Sequence, residues 1–293
     1  MSGSKSDDFT EAPSVIDLLL SSSLDDLYDS LIGSQTVLSM PTMPLNTDGI
    51  DPYGSNITIR RVNFTNFDDA VAIKPMFKGR AVVAKGECSQ DILVEDCNVK
   101  FGVGMSIGAV YPNPSHNCVK DVTFRNINFE YPLKAIYLKS GPGSPGVEES
   151  GEISNILYEN IKIHFPVWFG IYIGPQQMSE PDGTGPGCLL YPFEDCHTEP
   201  KIDFRNITIR NLESTGGLLN PGIIRFNETN PSQGLKFENV TLHGWWEDLD
   251  WGFITEFAHG ATAVNVYPDP QFGARQTEQV FYLFSIKNML RFA

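Results

Sequence analysis

The pattern of apolar and polar positions along the chain repeats. Six nine-residue segments share one pattern: NITIRRVNF from Asn56, DILVEDCNV from Asp91, DVTFRNINF from Asp121, NILYENIKI from Asn155, KIDFRNITI from Lys201 and GLKFENVTL from Gly234. In each, the second, fourth, seventh and ninth positions are apolar, and the sixth is Arg61, Asp96, Asn126, Asn160, Asn206 and Asn239 in turn. Alternation within each half predicts short strands, and the break between the fourth and seventh positions predicts a bend between them. The segments are rich in Val, Ile, Thr and Phe, which suit a pleated surface better than a helix. Asn tolerates left-handed backbone, so one such residue per bend, stacked from copy to copy, predicts a polar ladder. Copies recur every thirty to high-forties of residues, the period of a solenoid. The expected fold is all-β: a right-handed, single-stranded parallel β-helix in which each coil touches only its neighbours.

Each copy is followed by a second apolar run: AVAIK from Ala70, GMSIG from Gly104, AIYLK from Ala135, GIYIG from Gly170, GIIRF from Gly222 and GFITE from Gly252. These read as the next strand of the same coil. They would stack into one face that brings Asp68 and Asp69, Gly102 to Ser106, Tyr137 and Lys139, and Tyr172 into line. Such a face suits a long polymer better than a small molecule. Outside the repeat, residues 1–40 form a non-repeat segment, a capping helix over Ser14–Leu31 or a disordered arm. Residues 41–273 form the β-helix domain and 274–293 a C-terminal tail. The Pro- and Gly-rich stretch from Gly174 to Lys201 reads as a long loop beside the face. Trp245, Trp246 and Trp251 read as core or cap before they read as sugar platforms.

The candidate chemistry lies at the start of the repeat, in NTDGIDPYGSNITIRRVNFTNFDDAVAIK from Asn46 to Lys74. Two acidic pairs, Asp48 with Asp51 and Asp68 with Asp69, flank an alternating run, so one full coil between them would make them neighbours. Carboxylates forced together cannot all ionise freely, which drives their pKa values apart and supplies both an acid and a base. Asp51 precedes Pro52 and reads as a turn residue; Asp48, Asp68 and Asp69 read as the functional group.

Composition narrows the partners. With 21 basic and 36 acidic residues the net charge is −15, which argues against a nucleic acid. No window is apolar enough for a membrane span, and the acidic N-terminus lacks the basic start of a secretion signal. The five cysteines include no CxxC pair, so a zinc site is not expected. Cys188 and Cys196 flank the long loop and could pair. Sequons begin at Asn56, Asn63, Asn206, Asn227 and Asn239.

NTD at Asn46–Asp48, DD at Asp68–Asp69 and GVGMSIG at Gly102–Gly108, in that order on a β-helix repeat, resemble the polygalacturonase-type enzymes of glycoside hydrolase family 28. The likeness runs from about Leu45 to Phe272. It implies a secreted, monomeric hydrolase that cleaves pectin-type, galacturonan-like cell-wall polysaccharide with inversion and needs no metal or organic cofactor. Asp68 would be the acid, with Asp48 and Asp69 holding the water, acid and base being separated by roughly 6.5–9.5 Å. Lys139 and Tyr137 would bind the substrate, and Lys74 would be a further substrate contact. Two positions depart from the family. Val103 replaces the histidine of its GHG motif, and Tyr137 replaces the arginine of its RIK motif, which weakens the case for galacturonan itself. The likeness also implies several coils before NTD, where this chain has about 45 residues, so the chain reads as divergent and N-terminally truncated. A non-catalytic carbohydrate-binding β-helix is the alternative, and a calcium-dependent lyase or an epimerase on the same architecture is a third.

Overall fold

A computed structural model describes residues 46–76, 88–177, 188, 196–218, 221–244 and 252–272. All of them fall in one compact unit, Pro44–Ala293. The expectations for residues 1–40 and 274–293, and for the three tryptophans at 245, 246 and 251, lie outside the described residues.

The described residues form strands and turns. In chain order the strands are β1 (Ser55–Arg60), β2 (Asn63–Thr65), β3 (Asp69–Ile73), β4 (Ser89–Lys100), β5 (Gly104–Val110), β6 (Asn117–Glu130) and β7 (Lys134–Ser140). Then follow β8 (Gly151–His164), β9 (Phe169–Gln176), β10 (Ile202–Gly217), β11 (Gly222–Arg225), β12 (Lys236–Gly244), β13 (Ile254–Glu256) and β14 (Thr262–Tyr267). They pair in parallel into two sheets. One runs β1-β4-β6-β8-β10-β12-β14 with β2 beside β4, and the other runs β3-β5-β7-β9-β11-β13. From β2 onward successive strands alternate between the two sheets and each pairs with the strand a coil away, so the fold is a parallel β-helix. No helix long and apolar enough to cross a membrane occurs among the described residues.

The apolar positions of the repeat become columns. Ile59, Val94, Phe124, Tyr158, Ile209 and Phe237 follow one another in register, as do Cys97, Ile127, Ile161, Leu212 and Val240. Both columns point into a core that is sealed from solvent. Asn206 pairs with Asn155 and not five residues further along, because Ile207 lies against Ile156. The fifth copy is therefore NITIRNLES from Asn206, not the segment from Lys201. The sequence meets the pattern fully in the register from Lys201 and at all but the ninth position, Ser214, in the register from Asn206, and β10 is long enough to hold both.

The bends carry the predicted ladder, and they carry it twice per coil. Asp91, Asp121, Asn155 and Asn206 take left-handed backbone at one bend, and Asp96, Asn126, Asn160, Asn211, Asn239 and Asn265 take it at the next. Side-chain amides link the second series, each Nδ2 donating to the Oδ1 one coil before: Asn126 to Asp96 at 2.9 Å, Asn160 to Asn126 at 3.0 Å, Asn211 to Asn160 at 3.2 Å, Asn239 to Asn211 at 3.2 Å and Asn265 to Asn239 at 2.9 Å. Asn160→Ala removes two rungs and puts a Cβ-only residue at φ 56°, which should lower stability by about 1–2 kcal/mol. Asn160→Gly should cost less, since glycine takes that backbone freely; urea unfolding of the two variants checks the order.

In the second sheet β3, β5 and β7 are buried at every position, as expected of strands covered on both faces. Two disulfides, Cys88–Cys118 and Cys188–Cys196, join described residues, and Cys97 is a buried thiol.

Candidate active site

The NTD segment lies one coil before the DD segment, and hydrogen bonds fasten the two together. Gly49 N–H donates to the Asp69 carbonyl (2.9 Å) and Ile50 N–H to that of Ala70 (3.1 Å). Asn46 N–H donates to Asp68 Oδ2 (2.8 Å), and Phe67 N–H donates to Thr47 Oγ1 (3.2 Å). Asn66 is the hub. Its Nδ2 lies 3.0 Å from the Thr47 carbonyl, 3.0 Å from that of Asp68 and 2.9 Å from that of Asp69. One amide thus reaches the backbone beside all three candidate acids. The sequence reading passed over Asn66, although an Asn placed just before DD is a turn-forming signal.

Gly102 explains part of the glycine-rich motif. It sits at φ 69°, and a Cβ there would come 2.4 Å from the Asp68 carbonyl. Val103, at the position of the family's histidine, donates its backbone N–H to the same carbonyl (2.9 Å), and its side chain packs toward Tyr137 and Phe169.

The acids differ in surroundings. Asp69 is sealed, at 1 % exposure. Its Oδ2 accepts from Lys139 Nζ at 2.8 Å and its Oδ1 from the Ser106 hydroxyl. Asp68 is half-buried, and its Oδ1 accepts from the Asp69 N–H at 2.8 Å. Asp48 is also half-buried and shares Lys74 with Asp51, the ammonium lying 3.6 Å and 3.5 Å from the two carboxylates. Burial first, then the charges of Asp68, Asp51 and Asp69, push the Asp48 carboxyl up to about 6, against the pull of Lys74. The crowding expected among the acids acts on Asp48.

The expected stacked face exists. Ser106, Tyr137 and Tyr172 are in register on β5, β7 and β9. It is a covered face, with all three buried. The Tyr137 and Tyr172 rings meet edge to face at 5.0 Å. Lys134 lays its ammonium 4.0 Å and 4.5 Å from their ring centres, and Cys188 and Cys196 pack against the same cluster. Asp48, Asp68 and Lys74 are partly exposed, while Lys139 and Tyr137 are buried.

The raised Asp48 carries a sign for stability. Between the ordinary carboxylate value of 3.8 and about 6 the folded chain binds more protons than the unfolded chain, so stability falls as pH rises through that window. Asp48→Asn is expected to flatten the fall, measured as Tm from pH 4 to 7.

A family-wide sequence model, glycosyl hydrolases family 28, matches residues 26–249. An endo-polygalacturonase of Pectobacterium parmentieri is 32% identical over 134 residues, covering 45% of this chain and 30% of its own length. A probable rhamnogalacturonase B of Aspergillus terreus is 30% identical over 172 residues, covering 57% of this chain and 25% of its own. Rhamnogalacturonase A of Aspergillus aculeatus is 26% identical over 198 residues, 67% of this chain and 37% of its own. The chain thus spans about a quarter to a third of the first two. No solved structure is matched. With NTD, DD and the glycine-rich motif gathered on a parallel β-helix, and a family match over most of its length, the chain belongs to glycosyl hydrolases family 28.

Proposed function

We propose that the protein is a glycosidase that hydrolyses a pectin-type polysaccharide outside the cell, with inversion, using Asp48, Asp68 and Asp69. One observation carries this reading: three carboxylates from two successive coils crowd at a half-open site, and one of them is raised to about 6. A cluster that holds one proton at mildly acidic pH beside an ionised partner is what inverting hydrolysis requires. The family likeness assigns Asp68 as donor and Asp48 and Asp69 to the water; Asp48, where the raised value lies, is the competing donor. The ammonium of Lys139 on Asp69 keeps a negative charge next to that water, and the partly exposed Lys74 is the contact for an acidic or hydroxyl group of the sugar. The names of the Pectobacterium and Aspergillus relatives support polygalacturonan or rhamnogalacturonan as the polymer. Val103 and Tyr137, which replace family residues, weaken the case for plain galacturonan.

The test is release of reducing sugar from polygalacturonan, rhamnogalacturonan and xylogalacturonan between pH 4 and 7. Proton NMR of the first product anomer would read inversion or retention. Release from none of these polymers would overturn the reading.

The burial of Tyr137 and Lys139 favours a second reading, a carbohydrate-binding β-helix without turnover. Binding of oligosaccharide by Asp48→Asn, with no product at any pH from the unaltered chain, would support it.

A further inference from the structure

We infer that Lys139 and Ser106 are positioning residues for Asp69, and that Lys139 acts on the reaction through that carboxylate and not by holding substrate. The inference rests on the reading of Asp69 as part of the reacting cluster. Both Asp69 oxygens are occupied from later coils: Oδ2 by Lys139 Nζ at 2.8 Å and Oδ1 by the Ser106 hydroxyl. The side chains of Lys139 and Asp69 are 5% and 2% exposed. The ammonium also rests over the Tyr137 ring, 4.4 Å from its centre. A cation enclosed by a carboxylate and an aromatic face has no open side for a sugar, and leaving the carboxylate for one would strip Asp69 of its counter-charge.

The remaining charges around Asp69 sharpen the point. Asp68 adjoins it in sequence. Asp48 feels its charge from the preceding coil, and Lys74 is engaged by Asp48 and Asp51. From β8, Tyr158 donates its hydroxyl to the Met105 carbonyl at 3.1 Å; burial and the Asp69 charge push that hydroxyl up. Lys139 is therefore the one cation paired with Asp69 among the described residues.

Lys139→Met tests the inference in two ways. Without its counter-charge, the sealed Asp69 favours its neutral form, so the variant should lose more Tm at pH 7 than at pH 4, and the double variant Asp69→Asn with Lys139→Met should lose that pH dependence. In turnover, kcat should fall while KM for the cleaved oligosaccharide stays near that of the unaltered chain. Equal Tm losses at both pH values, or a raised KM with kcat intact, would overturn the inference. If Lys139→Met does not fold, Ser106→Ala carries the test. It deletes one hydrogen bond to Asp69 and should lower kcat about tenfold at constant KM; unchanged kcat would overturn it. A chain that hydrolyses nothing would end the proposed function, while the Tm comparison would still decide the pairing.

Discussion

Asp68→Asn is expected to lower kcat by roughly 10²–10⁴-fold, the range that general acid catalysis supplies, with little change in KM. Asparagine keeps the shape of the side chain, but its single oxygen can accept only one of the two N–H groups, from Asn46 and Asp69, that Asp68 accepts at 2.8 Å, so a parallel Tm measurement separates lost chemistry from a loosened NTD segment. The role shows in the leaving group. A glycoside whose aryl leaving group departs without a proton should restore much of the rate if Asp68 is the donor. If Asp48→Asn is rescued and Asp68→Asn is not, the donor is Asp48, where the raised value of about 6 lies. If Asp48 is the donor, kcat/KM should fall on the alkaline side with a limb near that value; if Asp48 holds the water, the limb lies on the acid side, and in both cases it should move in Asp48→Asn.

Phe124→Ala should cost about 3–5 kcal/mol, the largest stability loss of any single change considered. Phe124 is fully buried on β6, and its ring stacks on that of Tyr158 at 4.5 Å with 11° between planes. Val94 and Tyr158 lie directly before and after it in the column, so a void there weakens both adjoining coils. A solenoid has no long-range packing to share the loss. The damage should appear in hydrogen exchange as early opening of β4, β6 and β8, with β12 and β14 protected longer. The Tyr158 hydroxyl bonds the carbonyl of Met105, the residue before Ser106, so the void should also reduce turnover through the Ser106 contact with Asp69.

The sequence showed the fold because a β-helix writes its core locally. The columns through Ile59, Phe124 and Phe237 are one position of one motif, read coil after coil, and the residues at the two laddered bends are mostly Asn and Asp, which tolerate left-handed backbone. It misplaced the fifth copy, where Asn206 and Asn211 offer the same signal five residues apart; only pairing with β8 chooses between them. Within the site, the neighbouring of Asp48, Asp68 and Asp69 followed from the length of one coil. The counter-ion of Asp69 did not, since Lys139 lies 70 residues away and two coils on, and its side-chain direction depends on how Tyr137 packs. Which acid is raised was equally out of reach, because burial contributes most at Asp48 and burial is not written in the spacing of acids.

The ladder from Asp96 to Asn265 has an arrow. Every amide nitrogen points toward the N-terminal coil, and the series starts on Asp96, a carboxylate that accepts without donating. The shorter series does the same, with Asn155 donating to Asp121 at 2.8 Å and Asn206 to Asn155 at 3.0 Å. In each of these two rows the hydrogen-bonded run begins on an aspartate, which can only accept, in keeping with the direction of the rungs after it. Moving that aspartate to a middle rung would interrupt the row, because a carboxylate there has no hydrogen to pass back. The rows thus act as a vernier between coils: a slip of one coil would set Asp96 where an amide donor is required, and the misaligned stack would lose a rung that the native one keeps.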